Sequence, residues 1–173
     1  MDKKEKSLKS IICIMISMTV GAGLVYLANY KKIDFMNRYP EFLEVDEYAK
    51  DIEIHLGVEA EFFPETYPQL KRMLRDQGIE YLLLGQHFLD SPMGQRTRNE
   101  IYDPKVLEHY CDQVIEGMQT GDFTYVAHPD CILFLGDRRT LKDQLRRICK
   151  EAKSCMLPLE INLLGIHKNK HYP

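Results

Sequence analysis

The 173-residue sequence lacks the cysteine pattern of a disulfide-stabilised protein or a zinc knuckle. It contains five cysteines, which is an odd number, and no two of them form a CxxC pair. This pattern favours a reducing compartment, and it favours interpreting each cysteine as a small buried hydrophobic residue. We therefore expect a cytoplasmic location.

The sequence also lacks an excess of positive charge. The chain has 23 Lys and Arg residues against 26 Asp and Glu residues, which gives a net charge of −3. A nucleic-acid-binding surface normally shows a basic stripe, so the composition argues against a nucleic-acid partner. Hydrophobic residues make up 45% of the sequence, enough for one domain with a core and too little for two large domains.

An uncharged run near the N-terminus lies between two groups of lysines. Its apolar part begins at Ile11 and ends at Leu27, close to the lower limit of about 17 residues for a membrane-spanning helix. Three interpretations are open: a membrane anchor, an uncleaved signal-like segment, or a buried helix or strand of a first βα unit. We expect an apolar helix here, within an N-terminal segment 1–32 that precedes the domain 33–173. Membrane anchoring through this segment is the alternative to a purely cytoplasmic location.

The rest of the chain alternates between short apolar runs and amphipathic segments. Strands are predicted at 52–58, 81–86, 123–127 and 156–161. Helices are predicted at 65–77, from Pro104 to near Gly121, and at 141–153, with a long loop at 90–103. Strands that alternate with helices of about a dozen residues are typical of a parallel sheet with right-handed crossovers, so we predict an α/β fold.

A candidate metal ligand follows each of three consecutive predicted strands. These residues are Glu59, His87 and His128. Because the carboxyl ends of parallel strands meet at one edge of a sheet, we expect the three side chains to converge. Two imidazoles and one carboxylate form a common site for a divalent transition metal, with a position left open for water. The sequence therefore predicts a shared metal site.

Four segments resemble successive motifs of the PHP (polymerase and histidinol phosphatase) family, most closely its histidinol-phosphatase branch. In chain order they read LGVEAEFFP, LLLGQHFLD, YVAHPD and LPLEINLLG, and the resemblance covers residues 52–173. The family is a distorted (β/α)7 barrel that carries two or three metal ions, commonly zinc, iron or manganese. The resemblance thus implies a partial TIM-like barrel, in which Glu59 bridges two metals while His87 and His128 are further ligands of one of them.

The same resemblance implies hydrolysis of a small phosphomonoester, namely histidinol phosphate in histidine biosynthesis. Arg96 and Arg98 in the predicted loop, together with His167, are candidates for holding the phosphate, and the planar guanidinium suits phosphate oxygens best. Glu160 and Asn162 are expected to brace the site rather than perform chemistry.

Two motifs of the family have no counterpart in this sequence. No histidine precedes His55, so the His-x-His motif of the first barrel strand is missing, and so is the late Asp-x-His motif. One metal position would then be complete while the others lack ligands. The chain is expected to be a truncated or frameshifted product; a noncatalytic relative and complementation by another chain are the alternatives. A noncatalytic chain would bind at most one metal, with or without a membrane tether.

Overall fold

The computed structural model describes the backbone of residues 11–20 and 53–161, and the side chains from His55 to Ile161. The elements in chain order are β1 (Ile11–Val20), β2 (Glu53–Ala60), α1 (Tyr67–Asp76), β3 (Tyr81–Leu84), α2 (Pro104–Gln119), β4 (Phe123–Val126) and α3 (Arg138–Ser154).

The four strands form one parallel sheet in the order β1-β2-β3-β4. Each strand pairs with the strand that follows it in the chain, and helices separate β2 from β3 and β3 from β4. The predicted α/β fold is confirmed at this level. The described strands form a sheet rather than a barrel, so the TIM-like barrel remains a proposal.

The described part of the N-terminal segment, residues 11–20, is not the apolar helix that we expected. Residues 11–20 form β1 instead, which pairs with β2 in a register that runs from Ile11 opposite Glu53 to Ile16 opposite Val58. β-Branched residues fill much of this segment, and such residues favour a strand over a helix. In the part of the chain that the structure describes, no helix has both the length and the apolarity needed to cross a membrane.

Helix α1 follows the prediction closely because its ends carry clear signals. It begins at Tyr67, with Pro68 in its first turn, where a proline costs no hydrogen bond. It ends before Gly78, whose φ of 77° is accessible to glycine without strain. Its buried side consists of Tyr67, Leu70 and Leu74.

The other two helices each begin after a capping aspartate. The side chain of Asp103 accepts a hydrogen bond from the backbone N–H of Lys105 at 2.9 Å, and Asp137 accepts one from Thr140 at 2.8 Å. Helix α3 therefore begins at Arg138, earlier than the apolar spacing predicted, because its first turn is polar while the prediction counted from Leu141.

The predicted strand at 156–161 is not a full strand. A single parallel bridge joins Leu159 to Val126, supported by hydrogen bonds from Val126 N to Pro158 O (3.0 Å) and from Glu160 N to Val126 O (2.9 Å). Met156 is 90% exposed and has a φ of 53°, so it belongs to the turn that ends α3. The bridge nevertheless places Glu160 beside the end of β4.

The core lies between the sheet and the helices. Its fully buried aliphatic and aromatic side chains come mainly from β2, β3, β4 and α2: Val58, Leu84, Leu107, Tyr110, Val114, Met118 and Val126. Ala60 pairs with Leu84, and Leu84 pairs with Val126, so the carboxyl ends of β2, β3 and β4 are level. The segments that follow these three strands therefore begin at the same edge of the sheet.

Candidate metal centre

The three predicted ligands lie at the aligned strand ends. Glu59 belongs to β2 itself, because that strand extends to Ala60 rather than ending at Val58. His87 and His128 lie just beyond β3 and β4. The sheet hydrogen bonding continues past the strands, since Ala127 N donates to Leu84 O at 2.8 Å. The positions of the three residues are therefore fixed by the backbone pairing of the sheet.

The side chains of these residues meet at one carboxylate oxygen. Nε2 of His128 lies 3.1 Å from Oε1 of Glu59, and Nε2 of His87 lies 3.7 Å from the same oxygen. The two imidazole rings are 4.8 Å apart between centroids. Ligand atoms around a tetrahedral zinc, with bonds of about 2.0–2.1 Å, are separated by roughly 3.3 Å. The two separations from Glu59 lie close to this value, and the structure brings the three predicted residues together.

Gly85 makes this convergence sterically feasible. A Cβ atom at this position would lie 2.2 Å from Oε1 of Glu59, far inside van der Waals contact. The carboxylate of Glu59 consequently occupies the space that any other residue at position 85 would fill.

Opposite charges stabilise the ionised forms of Glu59 and His128. Burial acts to raise the pKa of Glu59, but its hydrogen bond to His128 and the charges of His128, His87 and Arg98 outweigh burial and lower the pKa. Burial acts to lower the pKa of His128, but Cys131 and Glu59 outweigh it and raise the pKa to about 10. A divalent cation bound here would interact favourably with the same carboxylate.

Cys131 is a fourth donor that our sequence reasoning missed. It is 2% exposed, and its donor atom lies within 4.8 Å of those of His87 and His128. Burial acts to raise the pKa of its thiol, but hydrogen bonds and charges from His128 and Arg98 outweigh burial and lower it. We had interpreted each cysteine as a buried hydrophobic residue. The turn in which Cys131 N donates to His128 O at 2.8 Å brings the two residues together.

His128 has an uncommon backbone conformation. Its φ of 33° lies in the left-handed region, which costs a non-glycine residue about 1–3 kcal/mol and often marks a functional site. Its backbone N–H donates to Oε2 of Glu160 at 2.7 Å. Glu160 thus contacts the backbone of a candidate ligand, and its bracing role stays a prediction.

Glu61 is the second residue that sequence reasoning missed. Its side chain is 2% exposed, and its Oε1 accepts a hydrogen bond from the backbone N–H of His87 at 2.7 Å. The sequence could have indicated Glu61 as a site residue through its spacing from Glu59. It lies two residues further along a strand that continues into extended chain.

Several buried polar atoms around these histidines make no hydrogen bond. Among them are Oε2 of Glu61, Nδ1 of His87 and Oγ1 of Thr97. Buried polar groups without partners are rare and call for an explanation, such as a bound ion or water. Together with the convergent donor atoms, they fit a region that takes a ligand.

The candidate phosphate ligands separate into different locations. Arg98 is near the site: its Nε donates to Sγ of Cys131 at 3.2 Å, and its charge contributes to the lowered pKa of Glu59. The guanidinium of Arg96 instead lies over the ring of Phe88, 5.5 Å from its centroid. His167 and Asn162 fall outside the described residues.

The chain was compared with protein-family models and with curated proteins. Neither a protein-family model nor a curated protein matches this chain. The structure therefore establishes an α/β fold and a His/His/Cys group that could hold a metal ion, with Glu59 against both histidines. Any reaction at this site is a proposal.

Proposed function

We propose that this chain binds one divalent transition metal ion through Glu59, His87 and His128, and that the resulting centre hydrolyses a small phosphomonoester. The observation that carries the proposal is the convergence of both imidazole Nε2 atoms on one oxygen of Glu59. Imidazole with carboxylate suits zinc, manganese or iron. Bound at this site, such an ion would polarise a phosphoryl oxygen and lower the pKa of a bound water.

The residues around the centre have distinct roles in this proposal. Glu59 supplies the negative charge that offsets the cation, and the two histidines act as neutral donors. The side chains of Glu59, His87 and His128 are 12–14% exposed, so the site is partly open to solvent. Arg98 would hold phosphate oxygens through its planar fork of N–H donors, since its charge already reaches Glu59.

The specific substrate and pathway are proposed from the resemblance to the PHP family. We propose a place in the histidinol-phosphatase branch, with histidinol phosphate as substrate, histidine biosynthesis as the pathway, and a cytoplasmic location. The sequential parallel order of β1 to β4 supports a partial (β/α)7 barrel, because neighbouring barrel strands follow each other in the chain in the same way.

A phosphatase assay on the purified chain tests this proposal. We expect turnover of histidinol phosphate that requires zinc or manganese and disappears with a chelator. A generic phosphomonoester should be turned over more slowly. The Glu59→Ala variant should lose the activity, whereas His109→Ala should keep it, because His109 lies on α2 and pairs with Asp90 on the surface. Turnover no higher than that of Glu59→Ala would rule out catalysis by this chain.

Cys131 favours a second candidate function, a noncatalytic metal centre. Its thiol forms one group with the imidazoles of His87 and His128, in which the donor atoms lie within 4.8 Å of one another, and thiolates with imidazoles are the donor set of structural zinc sites. Cobalt substitution separates the two candidates, since a thiolate ligand gives cobalt an intense near-ultraviolet band. The noncatalytic centre is selected if the wild type has no turnover and shows a band that Cys131→Ser lacks. Turnover without that band selects the hydrolase.

A further inference from the structure

Glu61 is a buried carboxylate whose hydrogen bonding is incomplete. Its side chain is 2% exposed, and such a group is costly to bury unless it is paired and hydrogen-bonded. Oε1 accepts the backbone N–H of His87 at 2.7 Å and lies 3.5 Å from Nδ1 of the same residue. Oε2 makes no hydrogen bond with any residue that the structure describes. The contacts of Glu61 are thus directed to a single residue, and that residue is a candidate ligand.

The ring of His87 lies between two carboxylates. Nε2 is 3.7 Å from Oε1 of Glu59, and Nδ1 is 3.5 Å from Oε1 of Glu61. An imidazole that binds a metal through Nε2 keeps its proton on Nδ1, and that proton needs an acceptor. Nδ1 makes no hydrogen bond here, but a shift of roughly 0.5 Å would bring it within ordinary hydrogen-bond distance of Glu61.

Two buried glutamines hold the segments that carry Glu61 and His87. Oε1 of Gln86 accepts from Phe62 N at 3.0 Å, and its Nε2 donates to Phe88 O at 2.6 Å. Nε2 of Gln113 on α2 donates to Phe62 O at 2.7 Å. The residues that follow Glu61 and His87 are therefore tied together by side-chain amides, which keeps the carboxylate facing the ring.

We infer that Glu61 is a positioning residue, which fixes the tautomer and orientation of His87 and makes its Nε2 a stronger donor to the metal. This inference rests on the metal centre proposed above. Loss of an outer carboxylate partner of a ligating histidine typically weakens metal affinity by about 10- to 100-fold. A purely structural role, in which Glu61 only accepts the backbone N–H of His87, would leave the tautomer and the metal affinity unchanged.

Two substitutions separate the charge of Glu61 from its function as an acceptor. Glu61→Gln keeps an oxygen that accepts hydrogen bonds from His87 but removes the charge. Glu61→Leu removes both. We expect zinc affinity of the full chain, measured by competition with a chelator, to fall about 10-fold in Glu61→Gln and about 100-fold in Glu61→Leu. Glu65→Gln, the same change at an exposed position, is the matched control and should bind zinc as the wild type does.

A second readout reports on His87 without any metal. Nitrogen-15 NMR of the neutral imidazole should show the proton on Nδ1 in the wild type and on Nε2 in Glu61→Leu. If Glu61→Leu does not fold, which circular dichroism will show, then zinc affinity and the cobalt spectrum of Glu61→Gln decide the question.

The outcomes distinguish this inference from the function on which it rests. If the wild type binds zinc and both Glu61 variants bind it as tightly as Glu65→Gln, the inference is overturned while the metal centre stands. If the wild type binds no zinc, the proposed function fails. The tautomer of His87 in the metal-free chain then decides whether Glu61 is a positioning residue. A tautomer that depends on Glu61 supports the positioning role, and one that does not depend on Glu61 overturns it.

Discussion

Oε1 of Glu59 lies 3.1 Å from Nε2 of His128, although the two residues are 69 positions apart in the chain. They belong to β2 and to the segment after β4, which are separated in the sheet by β3. Glu59 reaches His128 across β3 because Gly85, the first residue after that strand, has no side chain to obstruct it. This contact brings together residues from three successive β-strand units.

Gly85→Ala should therefore weaken metal binding. The added Cβ would lie 2.2 Å from Oε1 of Glu59, so the carboxylate must move away from both histidines. We expect zinc affinity to fall by at least the roughly 10-fold typical of a disturbed outer shell. Gly121→Ala is the control, because Gly121 has open space around it but a φ of 70°. That variant should lose stability through backbone strain and keep its zinc affinity. Equal zinc affinities in the two variants would contradict this role for Gly85.

Gln113→Leu should destabilise the metal-free protein. Gln113 is 4% exposed, and its side chain satisfies Phe62 O at 2.7 Å and Asp90 N at 3.2 Å. Leucine would leave the carbonyl of the buried residue Phe62 without this partner, at a cost of about 1–3 kcal/mol. Urea denaturation should show this loss, while Gln119→Leu, an exposed position on the same helix, should change stability little. A stable Gln113→Leu variant would show that the amide bridge is dispensable.

The cysteines should react with a thiol reagent in a defined order. Among the four cysteines whose side chains the structure describes, Cys149 is exposed and should react first. Burial raises the pKa of Cys111 to about 12, so this thiol stays protonated and unreactive at pH 8. Cys131 is buried against both histidines, and bound zinc should slow its modification further. Mass spectrometry after timed alkylation, with and without zinc, measures each site. Rapid labelling of Cys131 in the zinc-loaded chain would contradict its place in the centre.

The two loop arginines should differ in their effect on catalysis. Arg98 contacts Cys131 and its charge reaches Glu59, whereas Arg96 lies over Phe88. If the chain hydrolyses phosphomonoesters, Arg98→Ala should lower kcat/KM by about 10- to 100-fold, which corresponds to a charged hydrogen bond of roughly 1.5–3 kcal/mol. Arg96→Ala should have little effect. Steady-state kinetics on histidinol phosphate compares them, and equal losses would argue against phosphate binding by Arg98.

The sequence was most informative where its periodicity was regular. The strands and helices from β2 to α3 lie close to their predicted positions, because apolar spacing and capping residues mark them. The predicted ligand triad also converges, because residues at the ends of successive parallel strands must lie side by side. Glu160 lies within hydrogen-bond distance of the backbone of His128, while its bracing role stays a prediction.

The remaining features depend on contacts that no local pattern encodes. The run from Ile11 to Val20 is apolar enough for a helix or a strand, and its pairing with β2 decides the outcome. Segment 156–161 has the composition of a strand, yet only one bridge to Val126 forms. Cys131 and Glu61 join the site through a turn and through burial, neither of which a search for strand-end ligands detects.

Zinc stoichiometry tests whether His87 and His128 form a metal centre. The purified chain is loaded with zinc, dialysed, and analysed for metal by mass spectrometry beside the variants His87→Ala, His128→Ala and His109→Ala. We expect one zinc ion per chain in the wild type and in His109→Ala, and none in the other two variants. A wild-type chain without zinc, or zinc retained in both His87→Ala and His128→Ala, would contradict the metal centre.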